Sequence, residues 1–345
     1  MSDRNRKHVI VIGGGTAGCI AASRLAREGH SVSIVERDST TGGKINRWFQ
    51  LFPDRRKGTE VKKYLDREVD HPLIKIRTGT IITDFNKKDS KINTITDQGQ
   101  LDPADAILFA TGFDLFDAHR KEEYGYGIYE DVIISADLEK MFHNGIIETS
   151  RGKTPERIAL VHCVGSRDEK VSNFHCSKVC CVTAVKQAIE IKDHLPDTEV
   201  YCFYMDMRMF GPYYEELYRE SQEKWGVNFI RGKVSEASEN IEGKIMIKAE
   251  DTLSGRPMKM EVDLLVLMVG MENSTDGLKT GKKFGLKTGI NGFFEVADNH
   301  YGTNISNVEG IFYAGTCTAP MNITDTISHA RAAAVEIDEY LKSKR

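Results

Sequence analysis

Six residues near the start of the chain constrain its fold more than any others. Gly13-Gly14-Gly15-Thr16-Ala17-Gly18 follows the β-branched run His8–Ile12 and leads into a helical stretch that reaches about Arg27. The next strand-like run, Ser31–Val35, stops at Glu36, 18 residues after Gly18. Strand, glycine turn, helix and strand in this order predict a parallel βαβ unit. Gly13 permits the tight turn, Gly15 lets backbone approach a pyrophosphate, and Gly18 lets helix pack on strand. The helix N-terminus offers unpaired N–H groups and a positive dipole end to phosphate. A carboxylate at Glu36 suits a ribose diol and disfavours a 2′-phosphate. Thr16 and Ala17 within the turn, and Arg37 beside the acid, complete this candidate set.

Three later motifs turn the expectation from NAD to FAD. Gly42-Gly43-Lys44 follows Glu36 closely and resembles the Gly-Gly pair that flavoproteins place near the diphosphate. Ala110-Thr111-Gly112 ends the apolar run Ile107–Ala110 and resembles the turn that returns a chain to a flavin domain. Gly310–Thr316 resembles the late strand and turn that hold a ribityl chain, with Gly315 and Thr316 as contacts. That motif usually ends in Asp. Thr316 stands there instead, and its hydroxyl can also bond a ribityl oxygen.

The 345 residues suffice for about two domains at the usual ~100–200 residues each. A second strand–helix–strand pattern begins at Arg157: a buried strand Ile158–His162, a helix from about Cys176 to His194, and a strand Glu199–Met205. Alternation of this kind predicts an α/β fold with parallel sheets. A late strand at Ile311–Gly315 and a helix over about Asp325–Lys342 return to the first domain. The expected division is a discontinuous FAD-binding domain, 1–152 and 282–345, with a nucleotide-fold-like domain, 153–281, inserted in it. The run Tyr213–Tyr218 reads as a solvated helix with one packed face. Net charge is −4 and charged residues are 28% of the chain, so nothing points to nucleic acid as a partner. No apolar run approaches the ~18 residues of a membrane span. The N-terminal basic residues precede too short an apolar run for a signal peptide, so the expected location is the cytoplasm.

Four of the seven cysteines fall between 163 and 181. Cys163 ends the second domain's first strand, and Cys176, Cys180 and Cys181 follow. If all three lie on one helix, Cys176 and Cys180 share a face. Four thiolates suit a [4Fe–4S] cluster or a structural zinc. Four neutral cysteines could equally pack as small apolar side chains. Zinc sites usually use C-x-x-C pairs, and that spacing is absent here. Arg167, Lys178 and the helix N-terminus are candidates to favour thiolate. Cys19, Cys202 and Cys317 read as core residues, Cys317 lying in the expected flavin turn. A second glycine fingerprint belongs after Ile158–His162 if that domain binds NAD(P). The turn there reads Cys163-Val164-Gly165-Ser166-Arg167, with one glycine left. A cluster in place of a nicotinamide is the reading this supports.

Several stretches together resemble the A-subunit family of heterodisulfide reductases, in particular its short forms from sulfur-oxidising bacteria. They are Ala110-Thr111-Gly112-Phe113-Asp114-Leu115-Phe116, Glu123-Tyr124-Gly125-Tyr126-Gly127, Cys163-Val164-Gly165-Ser166-Arg167-Asp168, and Cys176-Ser177-Lys178-Val179-Cys180-Cys181, followed by Ala314–Ala334. The resemblance covers nearly the whole chain. It implies a thioredoxin-reductase-like fold of two Rossmann-like parallel-sheet domains, the second inserted in the first. It further implies one FAD and a [4Fe–4S] cluster on Cys163, Cys176, Cys180 and Cys181. A homodimer with partner B and C subunits is implied as well. The methanogen members are longer and carry further ferredoxin-type clusters, whereas this sequence has no C-x-x-C-x-x-C run. The family's G-P-K-D-I-P motif reads here Ala319-Pro320-Met321-Asn322-Ile323-Thr324. Met321, Asn322 and Ile323 are thus expected beside the flavin without the usual lysine. A cation there stabilises reduced anionic flavin, so its loss alters the spacing of the two one-electron steps. The resemblance therefore does not carry flavin-based bifurcation across.

The expected function is that of an oxidoreductase: an electron-transfer component of a heterodisulfide-reductase-like complex in sulfur oxidation. A stand-alone NAD(P)H-dependent flavin disulfide oxidoreductase is the alternative. It needs a redox cysteine pair beside the flavin. No cysteine lies between Cys19 and Cys163, and the second domain has no C-x-x-C. A scaffold using its cofactors only for shape is the third reading.

Overall fold

Val9, Ile10 and Val11 are fully buried, as a strand with both faces covered requires. In the computed structural model, which describes residues 6–88 and 91–344, they form the middle of a five-stranded parallel sheet. Its order is Ile311–Tyr313, Ala106–Phe109, His8–Ile12, Ser31–Val35, Ile74–Arg77. The helices Thr16–Arg27 and Ile323–Ser343 pack against each other in this unit. Residues 1–5, part of the N-terminal stretch expected not to be a signal peptide, lie outside the described residues.

A second five-stranded parallel sheet has the order Val132–Ile134, Leu264–Val269, Arg157–Val164, Glu199–Tyr204, Asn228–Arg231. The helices Ser135–Asn144, Cys180–His194 and Tyr214–Glu223 belong to this unit, the last burying only Leu217 and Ser221. Among the described residues no helix is long and apolar enough to cross a membrane.

By packing, the chain divides into one unit of residues 1–46, 59–114 and 272–345 and another of residues 47–58 and 115–271. The sequence placed the divisions at 152/153 and 281/282. They fall elsewhere because Val132–Ile134 joins the second sheet, pairing in parallel with Leu265–Leu267. Residues 47–58 join that unit through a buried charged cluster. The Lys186 ammonium lies within 3.0 Å of the Gln50 carbonyl and forms ion pairs with Glu139 and Glu190. The Phe49 amide donates to Glu139 at 2.8 Å. Burial opposes the Lys186 charge, but Glu190 and Glu139 outweigh it and hold the ammonium above its ordinary range. Burial pushes the Glu190 carboxyl up to about 8, against the pull of the Lys186 ammonium.

Candidate functional site

In an open α/β sheet, ligands enter the crevice outside the strand carboxyl ends where strand order reverses. In the first unit that place lies between His8–Ile12 and Ala106–Phe109. Gly13, at φ +107, leaves the first of these strands. A Cβ on Gly13 would stand 2.3 Å from the Ala110 carbonyl oxygen, so only glycine lets the two turns close on each other. A Cβ on Gly18 would stand 1.9 Å from the Gly13 carbonyl oxygen. A Cβ on Gly15 meets only the Gly43 Cα, at 3.9 Å, which leaves an open cradle over the turn. Gly13, Gly15 and Thr16 remain half-buried, while Ala17 and Gly18 are covered.

The other expected residues gather around this cradle. The Gly42 amide donates to the Gly14 carbonyl at 2.7 Å. Glu36 accepts from the amides of Gly14, at 2.6 Å, and Asp38, at 2.8 Å, which fixes its carboxylate beside the turn. Each carboxylate oxygen keeps further acceptor capacity for a ribose. Thr111 presents a buried hydroxyl with no hydrogen-bond partner, and the Gly112 Cβ position lies 3.9 Å from the Thr316 Oγ1. Gly315, at φ +75, donates its amide to His329 Nδ1 at 3.0 Å. Asn322 caps the Ile323–Ser343 helix, accepting from the Asp325 amide at 2.7 Å. Met321, Asn322 and Ile323 are half-buried at that helix start. Arg37 and Lys44 turn to protein partners. Arg37 pairs with Asp276 at 2.7 Å, and Lys44 lies 3.9 Å from Asp114 and over the Phe113 ring. The open cradle, the orphaned Thr111 hydroxyl and the helix N-terminus fit a dinucleotide such as FAD.

The corresponding place in the second unit lies between Arg157–Val164 and Leu264–Val269, and Cys163 occupies it. The pairing of these strands slips between Val161 and Val164, and Cys163 adopts φ +60. Gly165, at φ +68, carries the Phe116 ring so closely that a Cβ would come within 2.1 Å of it. The helix expected from about Cys176 begins only at Cys180. Cys176 therefore precedes it, and the shared helical face with Cys180 is not formed. The cause is local. Ser177 gives its amide to Ser166 Oγ at 2.9 Å, and Lys178 at φ +64 breaks helical geometry.

Cys163 and Cys180 bring their sulfurs to 3.8 Å, and Cys181 and Cys180 also interact directly. The Cys180 thiol is raised well above its ordinary range by its contacts with Cys163 and Cys181 and by burial. The Cys180 hydrogen bond draws the Cys163 thiol down. Cys181 is drawn down to about 4, first by Cys180 and then by His162. Cys176, half-buried on the loop, accepts the Lys178 amide at 3.3 Å. Arg167 spans the group: its charge acts on Cys163 and Cys176, one η nitrogen bonds Asp206 at 2.7 Å, and the other is buried without a partner. The Lys178 ammonium lies over the Phe210 ring, 5.8 Å from its centre. Among the described residues no three His, Cys, Asp or Glu side chains close as ligands of a single ion. Thiols that ionise early, an unsatisfied guanidinium N–H and a helix N-terminus fit an anionic four-thiolate cluster. Cys19, Cys202 and Cys317 are buried core residues with thiols raised by burial. His162 and the Phe116 ring escaped the sequence reading. For His162 the available signal was its place directly before Cys163.

Known proteins share this architecture. Residues 182–335 match the pyridine nucleotide-disulphide oxidoreductase family, and residues 11–67 match the NAD(P)-binding Rossmann-like domain. The A subunit of the H(2)/formate:CoB-CoM heterodisulfide,ferredoxin reductase of Methanococcus maripaludis is 43% identical over 235 residues, covering 66% of this chain and 36% of the relative. The A subunit of the ferredoxin:CoB-CoM heterodisulfide reductase of Methanosarcina mazei is 30% identical across 99% of this chain and 54% of the relative. The chain belongs to the A-subunit family of heterodisulfide reductases. It spans between about a third and about half of the length of these relatives. The fold is that of thioredoxin reductases. Those of T. acidophilum and Lactococcus lactis superpose with TM-scores of 0.67 and 0.70, at 19% and 17% identity, over 99% and 98% of this chain and the whole of theirs. The family match and the relatives place the chain among oxidoreductases, as the sequence predicted.

Proposed function

We propose that the chain is an electron-transfer subunit that carries FAD and a [4Fe–4S] cluster in a heterodisulfide-reductase-like complex. The observation that carries this reading is the exchange at the second switch point. Where a nicotinamide dinucleotide would need an open glycine turn, Cys163 leaves the strand and Phe116 covers Gly165. FAD, when bound, exchanges electrons in pairs or singly, and a cluster exchanges them singly.

The residues that would hold FAD are Gly13, Gly15, Thr16, Ala17 and Gly18 at the phosphates, Glu36 at the ribose, and Gly42 and Gly43 beside the diphosphate. Ala110, Thr111, Gly112, Gly315 and Thr316 would border the ribityl chain, and Met321, Asn322 and Ile323 the ring. Arg37 and Lys44, paired with Asp276 and Asp114, would supply positive potential at the rim. The start of the Ile323–Ser343 helix would favour negative charge on a reduced ring. Cys163, Cys176, Cys180 and Cys181 would hold the cluster, with Arg167 offsetting its charge. Partner B and C subunits, a homodimeric core and a cytoplasmic setting complete the proposal. The names of the relatives support partners of this kind, and the short-form resemblance supports sulfur oxidation.

Anaerobic iron, sulfide and flavin analysis, with a redox titration followed by electron paramagnetic resonance (EPR), tests this. One FAD and about four irons per chain are expected. Zinc without iron would overturn the cluster.

A further inference from the structure

Where the strand Ile311–Tyr313 ends, the Ala314 amide still donates to the Phe109 carbonyl of the neighbouring strand, at 2.9 Å. The next amide, of Gly315, goes to a side chain instead: it donates to His329 Nδ1 at 3.0 Å. A backbone N–H can only donate, so Nδ1 offers its lone pair and the ring proton sits on Nε2. Nε2 is buried and has no hydrogen-bond partner. The fold thus keeps one buried donor unsatisfied so that Nδ1 can accept, a condition native structures seldom hold without a reason.

The surroundings of the ring join three parts of the flavin-side unit. The Asn304 side-chain amide bonds the Tyr313 carbonyl at 2.9 Å and the His329 carbonyl at 3.1 Å, which ties the strand end to the Ile323–Ser343 helix. A Cβ on Gly315, at φ +75, would stand 2.8 Å from the Ala17 Cβ and 3.2 Å from Thr326 Cγ2. The turn therefore touches the glycine-fingerprint helix and the last helix at once. Thr316 follows directly and is buried. A shift of the Gly315 amide carries the Thr316 hydroxyl with it.

We infer that His329 is a positioning residue of the flavin site: its neutral imidazole holds the Gly315–Thr316 turn in place, and protonation of Nδ1 releases that turn and weakens FAD binding. This rests on the FAD reading above. An imidazolium has two N–H donors and no acceptor, so its Nδ1–H would face the Gly315 N–H. Burial disfavours that cation and outweighs the Thr303 backbone, which favours it. Titratable side chains on the surrounding elements are Asp325 and Arg331 on its own helix, Cys19 and Arg24 on the Thr16–Arg27 helix, and Tyr313 and Cys317 beside the turn. Asp298, His300 and Tyr301 precede Thr303. Among the described residues none of these shifts the ring; burial and the Thr303 backbone alone do.

The test titrates the flavin-free chain with FAD, followed by flavin fluorescence, from about pH 5 to about pH 8. It compares wild type with His329→Phe and with His329→Gln, whose amide oxygen keeps an acceptor that does not titrate. Wild-type affinity should be level at the alkaline end and fall below the ~6.5 of an unperturbed imidazole, approaching about tenfold per pH unit as one proton is taken up. His329→Phe should bind FAD about tenfold more weakly at the alkaline end, the effect of about one unmade hydrogen bond. His329→Gln should stay close to wild type there and lose the acid fall. In ¹⁵N-histidine spectra of the flavin-free chain, one ring signal missing from both variants should report a proton on Nε2 and none on Nδ1. Equal affinities and parallel pH profiles in wild type and His329→Phe would overturn the inference. So would a proton on Nδ1, or an affinity that rises as pH falls, which would mean that the ring meets the FAD diphosphate as a cation. Should His329→Phe fail to fold, the glutamine profile and the wild-type spectrum still decide. Wild type that takes up no FAD at any pH would sink the FAD reading and this inference with it, whereas FAD bound with a flat acid profile overturns the inference alone.

Discussion

The sulfur atoms of Cys163 and Cys180 stand 3.8 Å apart, one at the end of a strand and the other in the first turn of a helix. Residues 17 apart in sequence thus meet at the switch point of the second sheet. Serine at Cys180 is expected to abolish the iron-linked absorbance and EPR signal while FAD and the far-UV circular dichroism persist. Loss of flavin together with iron, in a protein that keeps its fold, would contradict separate sites.

Phe116 makes a second prediction. Its ring lies where a nucleotide phosphate would need access to the Gly165 backbone. Excess NADH or NADPH should leave the flavin oxidised in anaerobic stopped-flow measurements, whereas dithionite should bleach it. Rapid bleaching by either nucleotide would favour the stand-alone disulfide reductase.

Gly18 tolerates no side chain, because a Cβ would press into the Gly13 carbonyl at 1.9 Å. Gly18→Ala should yield protein largely free of flavin. Overpacking at such a contact costs about 1–3 kcal/mol, and more where backbone must move. Urea unfolding of flavin-free wild type and variant measures that cost apart from cofactor loss.

Glu190 makes stability depend on pH. Its folded carboxyl titrates near 8, above the 4.5 of an unperturbed glutamate. Between these values the unfolded chain releases the proton and the folded chain keeps it. Stability therefore falls as pH rises across this window. Glu190→Gln keeps a neutral group of similar shape and should flatten that fall. Its melting temperature should exceed that of wild type at pH 8 and match it more closely near pH 5. A parallel decline in both proteins would remove Glu190 as the cause.

The flavin-side turn was legible in the sequence because its constraints are local. Gly13, Gly18 and Glu36 lie within one βαβ unit; the two glycines are forced by close backbone approaches, and the acid is held by the Gly14 and Asp38 amides. Cys163, Cys180 and Cys181 meet as the sequence grouped them, but the start of the cysteine helix was not legible. That start depends on Ser166 taking the Ser177 amide, a contact across 11 residues that no helical periodicity reveals. The division at 114/115 depends on Val132–Ile134 pairing with a strand more than 130 residues later. The Lys186 cluster was hidden too, because lysine and glutamate spaced four apart read as a solvated helix face until Glu139 and residues 49–50 arrive from elsewhere.

Residues 47–58 carry a consequence for inheritance. The second unit draws on two separate coding stretches, one of only twelve codons. A recombination event that replaced residues 115–271 with a relative's version would leave those twelve behind. The incoming lysine and glutamates would then have to match a Phe49 amide and a Gln50 carbonyl from a different ancestor. The two stretches are expected to descend together, so their phylogenies should agree with each other more closely than either does with residues 59–114.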